Sequence, residues 1–207
     1  MSGGGPVADE GYVKYRSLWT CGPAPDAAIV AELDRCRRRL HDAGLIGFDE
    51  AQHVGYGNLS RRAGDSTRFV ISGTQTGHLP HTGGDHYSLV SDVDIDANTV
   101  WCTGPVQASS ESMTHAALYR LDAGIGAVVH VHSAPLWERL RGELPTTDAS
   151  VRYGTPAMAH EFERLWADSE FPTLGVAVMA GHENGIVAIG ASIDEATRRT
   201  LALTPTR

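Results

Sequence analysis

The spacing of apolar residues along this chain changes several times, and each change predicts a new element. Between Asp26 and Gly44 the set Ile29, Val30, Leu33, Cys36 and Leu40 recurs at three-to-four spacing, the period that gathers side chains on one face of an α-helix. Asp26 is placed to cap its start and Gly44 to stop it. The pattern turns extended over His53–Ser60 and Arg68–Ser72, with a polar, Gly-containing break at Ala63–Ser66, which predicts a hairpin. Leu89–Val93 and Thr99–Thr103 predict two more strands joined by a turn at Asp96–Asn98. Helical spacing returns from Ser110, with Met113, Ala117, Leu118 and Leu121 on one side and Gly124 beyond the end. Ala127–His132 then predicts a short apolar strand, and Thr155–Trp166 a helix with Met158, Phe162, Leu165 and Trp166 inward. Strands at Val176–Ala180 and Ile186–Ile189 and a helix over Ile193–Leu203 complete the pattern. Helices at the start, middle and end of a strand-rich chain predict one α/β domain, its sheet mainly antiparallel or mixed and flanked by helices.

This pattern spans residues 10–203. Residues 1–9 are small, Gly-rich and polar and predict a mobile tail, and residues 204–207 a short frayed end. The 207 residues are 42% apolar, enough for a sizeable core without disulfides. Acidic residues outnumber basic ones by 25 to 17, so the positive field that attracts phosphate backbones or anionic lipids is missing, and nucleic acid and membrane surface are not expected partners. The basic run Arg35, Arg37, Arg38, Arg39 reads as a solvated helical face. Cys21, Cys36 and Cys102 are an odd number at wide spacing, which predicts reduced packing thiols in a cytoplasmic protein. No leader is recognisable at Met1–Gly5, and no apolar stretch approaches the roughly 18 residues of a membrane span.

The chemistry starts at His130-Val131-His132. In a strand, residues two apart point to the same face, so both imidazoles share one side of the sheet, and neutral imidazoles so placed can chelate a zinc-like ion. Satisfied core histidines would read the same way. Glu111 opens a helix after Ser109-Ser110, and His182 follows an apolar strand in a Gly-flanked turn; such strand ends and helix starts are where ligands converge in α/β sheets. Glu111 also reads as a charge complementing the helix dipole. His115 lies four residues on, on the same helical face, as a rival ligand or a support for the carboxylate. His78, His81 and His86 cluster in one loop. Tyr119 and Tyr153 are candidate proton donors, although tyrosines more often pack.

Gly57-Asn58-Leu59-Ser60, Phe69-Val70-Ile71-Ser72, Ser109-Ser110-Glu111 with His115 and Tyr119, and Ala127 through Ser133 occur in an order that resembles the class II aldolase and adducin family. The likeness runs from about Ile29 to Ala202. It implies a three-layer α/β/α fold, a divalent metal, most often zinc, with manganese, cobalt or iron as alternatives, and a homotetramer whose neighbouring subunits complete each pocket, with Tyr12, Lys14 and Tyr15 as candidates. It implies His130, His132, His182 and Glu111 as metal ligands, Glu111 also as acid/base, and Gly57, Asn58, Thr76, Gly77, Ser109 and Ser110 as the cradle of a substrate phosphate. Ser72-Gly73 rivals Thr76-Gly77 in that alignment. Gly181-His182-Glu183-Asn184-Gly185 departs from the family's usual histidine-glycine turn and brings Glu183 forward as a ligand.

The resemblance further implies a lyase cleaving a carbon–carbon bond in a small phosphorylated or polyhydroxylated carbonyl compound through a metal-stabilised enediolate. An epimerase, dehydratase or decarboxylase would use the same site, and a non-catalytic adducin-like protein would share the fold.

Overall fold

The computed structural model describes residues 12–205. The expected tail at residues 1–9 lies outside them, as do residues 206 and 207 of the expected end. In chain order the elements are β1 (Arg16–Cys21), α1 (Ala27–Asp42), β2 (Gly47–Asp49), β3 (Val54–Tyr56), β4 (Asn58–Arg62), β5 (Phe69–Ser72), β6 (Tyr87–Asp94), β7 (Thr99–Gly104), α2 (Ser112–Leu121), β8 (Ala127–His132), α3 (Ala134–Leu140), α4 (Pro156–Asp168), α5 (Phe171–Leu174), β9 (Val176–Val178), β10 (Gly185–Gly190) and α6 (Ile193–Ala202). A single 3-10 turn at Gly84–His86 precedes β6. Eight strands form one mixed sheet in the order β1-β7-β6-β5-β4-β8-β10-β9; β1 runs parallel to β7, and every other pairing is antiparallel.

Alternation along the strands builds two cores, one on each face. Phe69 and Ile71 of β5, Val128 of β8, and Val187 and Ile189 of β10 pack with Met113, Leu118, Met158 and Phe162 beneath α2 and α4. The intervening Val70, Val129, Val131, Ile186 and Ala188 pack with Leu33, Leu40, Leu136 and Ile193 beneath α1, α3 and α6. The result is the single α/β domain expected, in three layers. No helix among the described residues is long and apolar enough to cross a membrane.

The caps explain where helices begin. Asp26 Oδ1 accepts from the amides of Ala28 and Ile29, Thr155 Oγ1 from Met158, and Ser192 Oγ from Glu195, which satisfies amides that the first turn leaves without an intrahelical partner. The stop at Gly44 (φ 71°) follows the sequence reading.

Several elements differ from expectation. The strand expected over His53–Ser60 is broken at Gly57, whose φ of 78° lies in the left-handed region, where a Cβ would meet Ile46 Cγ1 at 2.7 Å. Val54–Tyr56 therefore leaves the main sheet to pair with β2, while His53 (φ 52°) belongs to the preceding turn. Strand β1 and helices α3 and α5 had no sequence signal; β1 is an exposed edge, and the two helices have only seven and four residues. Cys36 and Cys102 are buried packing thiols, but Cys21 is exposed on β1. The largest correction is Arg37, expected in solvent and found 1% exposed, because main-chain carbonyls of the loop beyond β5 take its guanidinium.

The α1 face is closed by Leu33, which is fully buried. Leu33→Ala is expected to lower the unfolding free energy by about 2–5 kcal/mol, measured by denaturant titration.

Candidate metal and anion site

Strand β8 lies between β4 and β10 with His130 opposite both Asn58 and Val187, and His132 opposite Gly185. Since Val129 and Val131 fill the α1 face, His130 and His132 project to the α2 face, as alternation requires. His182 arrives from the turn before β10. That turn is held by the His182 amide donating to Met179 O and the Gly185 amide donating to His182 O, with Asn184 in the left-handed conformation.

The three rings converge. His130 Nε2 and His132 Nε2 are 3.0 Å apart, and one nitrogen from each of His130, His132 and His182 lies within 4.8 Å of the others. Two imidazoles on one tetrahedral zinc would hold their nitrogens about 3.3 Å apart, from bonds of about 2.0–2.1 Å, so this donor set fits such an ion. Burial, reinforced by His132 and His182, holds His130 well below the usual histidine range, so it is neutral and presents a lone pair. Tyr153 stacks on His182 at 4.1 Å between centroids, with Lys14 Nζ 3.5 Å from the Tyr153 centroid on the ring face, and Tyr56 stacks on His132 at 5.6 Å.

Glu111 is the cap residue of α2, 2% exposed, with Oε1 3.7 Å from His182 Nδ1. Its amide donates to Ser109 Oγ, and Ser112 Oγ donates to Ser109 O. The Ser109 carbonyl also accepts from the Tyr15 hydroxyl at 2.8 Å. The serine turn is thus fixed from both sides.

Glu111 lines a small cleft together with Gly57, Asn58, Thr76, Gly77, Ser109 and Ser110, so every residue expected to cradle an anion reaches one place. Gly73 lines it as well, but Ser72 does not; Ser72 Oγ accepts from the Leu59 amide instead. A broader cleft of about 930 Å³ opens on the other side of the histidines, lined by Asp49, Tyr56, His132, Arg152, Tyr153, His182 and Glu183 among others. Tyr56 and Arg152 carried no signal in the sequence; the pairing of β3 with β2 places Tyr56, and Arg152 comes from the loop before α4.

Other candidates lie elsewhere. Tyr119 is 1% exposed and lines neither cleft. Its hydroxyl is 2.7 Å from Ser60 Oγ, and its ring packs on Phe69 at 5.0 Å. That position sets the phenol apart from the lining of both clefts. His115 Nδ1 is also 2.7 Å from Ser60 Oγ, so this histidine joins a buried polar cluster and not the ligand trio. Glu183 is exposed and lines the broad cleft, outside the histidine trio. His78, His81 and His86 line neither cleft. Lys14 and Tyr15 support the site of their own chain, through Tyr153 and Ser109.

With this geometry stand the known proteins the chain resembles. Residues 33–205 match the class II aldolase and adducin N-terminal domain; the chain belongs to this family. Among solved structures it is similar to l-fuculose-1-phosphate aldolase from Thermus thermophilus, with 19% identity over 86% of this chain and 90% of that one and a TM-score of 0.62. It is similar to YgbL from Escherichia coli, a protein named with three alternative activities, aldolase, epimerase and decarboxylase (22% identity, 86% and 85% covered, TM-score 0.63). A sugar-phosphate aldolase from Thermotoga maritima matches at 14% identity over 85% and 90%, with a TM-score of 0.65. These likenesses establish the shared fold.

Two outcomes follow from the buried cluster. Burial lowers the His115 pKa to about 3, below the roughly 6.5 of an unfolded histidine. Between those values the unfolded chain binds a proton that the native chain does not, so stability is lost as pH falls from about 6.5 toward 3. In His115→Gln the slope of unfolding free energy against pH in that window is expected to be shallower by up to about 1.4 kcal/mol per pH unit, one proton's worth. Tyr119→Phe is expected to lose about 1 kcal/mol of stability, measured by denaturant titration.

Proposed function

We propose that this chain is a divalent-metal-dependent lyase that cleaves a carbon–carbon bond in a small phosphorylated carbonyl compound. The observation that carries the reading is the meeting of three imidazoles and a buried carboxylate beside a cleft of glycine amides and hydroxyls. His130, His132 and His182 would hold the cation, with Glu111 beside it, and zinc suits a set of neutral imidazoles with an open position. When bound, the cation supplies Lewis acidity at a substrate oxygen where negative charge develops.

The chain's own residues do the rest. Gly57, Asn58, Thr76, Gly77, Ser109 and Ser110 bind the phosphate through close backbone approach, hydroxyls and the Asn58 amide, and so fix which carbon faces the histidines. Glu111 holds the proton that is moved at the carbon beside the carbonyl, its oxygen already 3.7 Å from His182 Nδ1. Burial of the carboxylate and rings keeps the local dielectric low, which strengthens each interaction with developing charge. The larger cleft beside His132 and Tyr153 has room for the rest of the carbon chain.

Elemental analysis of protein purified without added metal is expected to find about one divalent transition metal per chain, lost in the His130→Ala/His132→Ala double variant. Glu111→Gln is expected to keep most of that metal while turnover falls by roughly two to four powers of ten. No metal in the wild-type protein, and none taken up on incubation, would sink the reading. Product analysis with a ketose phosphate separates cleavage, which gives two carbonyl fragments, from epimerisation, which gives one.

A further inference from the structure

Arg37 lies on the inward face of α1 beside Leu33, Cys36 and Leu40. A guanidinium is seldom fully buried without partners, because its charge exchanges water for a medium of low dielectric. Its partners here are all main-chain: Nη2 donates to the carbonyls of Thr76 at 2.7 Å and Gly77 at 3.1 Å, and Nη1 donates to that of Leu79. Among the described residues it forms no ion pair. Asp34, the carboxylate whose charge reaches it, is already engaged by Arg38 at 3.2 Å and by the Thr82 amide and hydroxyl at 2.9 Å each.

Those carbonyls belong to the stretch that brings Thr76 and Gly77 to the small cleft. In a trans peptide the N–H lies opposite its C=O, so drawing the Thr76 and Gly77 carbonyls toward α1 turns the amides of Gly77 and His78 away from it. The stretch has no slack, since a Cβ on Gly77 would sit 2.3 Å from Gly47 O and 2.7 Å from Tyr56 N. The loop is thus pinned between a β2–β3 surface that admits only glycine and a cation that takes its carbonyls.

We infer that Arg37 is a positioning residue for the anion cleft, fixing the Thr76–Leu79 turn with the Gly77 and His78 amides turned away from α1 and placing a buried positive charge behind it that the bound anion answers. The inference rests on the anion-binding reading of that cleft. A fixed cation behind the loop raises affinity for a charged phosphate far more than for a neutral polyol, which accords with the phosphorylated substrate proposed above. The planar fork matters as well as the charge, because one guanidinium serves three carbonyls and a lysine ammonium reaches them with poorer geometry.

The test is calorimetric titration of inorganic phosphate into wild-type protein, Ser110→Ala, Arg37→Met and Arg37→Lys, all matched for metal content. Wild-type binding, weakened in Ser110→Ala, at least tenfold weaker in Arg37→Met and partly recovered in Arg37→Lys, is the expected result. Wild-type affinity in Arg37→Met, with Ser110→Ala weakened, overturns the role of Arg37 while leaving the cleft in place. No phosphate binding by the wild-type protein, or binding untouched by Ser110→Ala, overturns the anion cleft and the inference with it. If Arg37→Met does not fold, Arg37→Lys decides: a loss of threefold or more supports the fork, and wild-type affinity overturns it.

Discussion

Strand β8 is hydrogen-bonded on both sides, to β4 and to β10, and that double register is the constraint from which the site follows. Its residues alternate between two packed cores, Val128 on the α2 face and Val129 and Val131 on the α1 face. A slip of one residue would carry His130 and His132 into the apolar layer under α1 and α6 and drive valines against Glu111. Both neighbouring ladders would have to shift together for that to happen. The same register sets Asn58 beside His130 and Gly185 beside His132. The small cleft and the histidine trio are therefore adjacent because the sheet makes them so, with no long loop between them.

Burial then decides the electrostatic character of the place. Imidazoles packed ring against ring, with Tyr153 over one and Tyr56 over another, cannot all carry protons in a low dielectric. Neutral rings with convergent lone pairs are what a divalent ion requires. The same desolvation makes the core sensitive to acid through His115. Site chemistry and pH-dependent stability thus share one cause.

The fold is held in common with proteins only 14–22% identical in sequence, and such folds host more than one reaction. Around the histidines this chain places the stretch from Thr74 to His86, the buried Arg37 against its carbonyls, and Tyr153 with Lys14 against His182.

The sequence by itself determined the periodic elements and the chemistry they carry. The three-to-four spacing of α1, the apolar run ending in His130-Val131-His132, and the cap at Asp26 are local signals, because helix and strand periods act within a few residues. Pairing the serine turn and Glu111 with the histidines was legible through motif order. The tertiary structure alone decided the rest. Gly57 reads as a strand residue until its left-handed backbone splits the strand, and Tyr119 reads as a proton donor or a packing residue until the fold sets it against Phe69 and Ser60. Arg37 reads as a solvated charge in a basic run until three carbonyls from a loop some forty residues away bury it. Each of these depends on contacts between distant segments, and no spacing within one segment encodes which distant carbonyl, ring or hydroxyl will meet it.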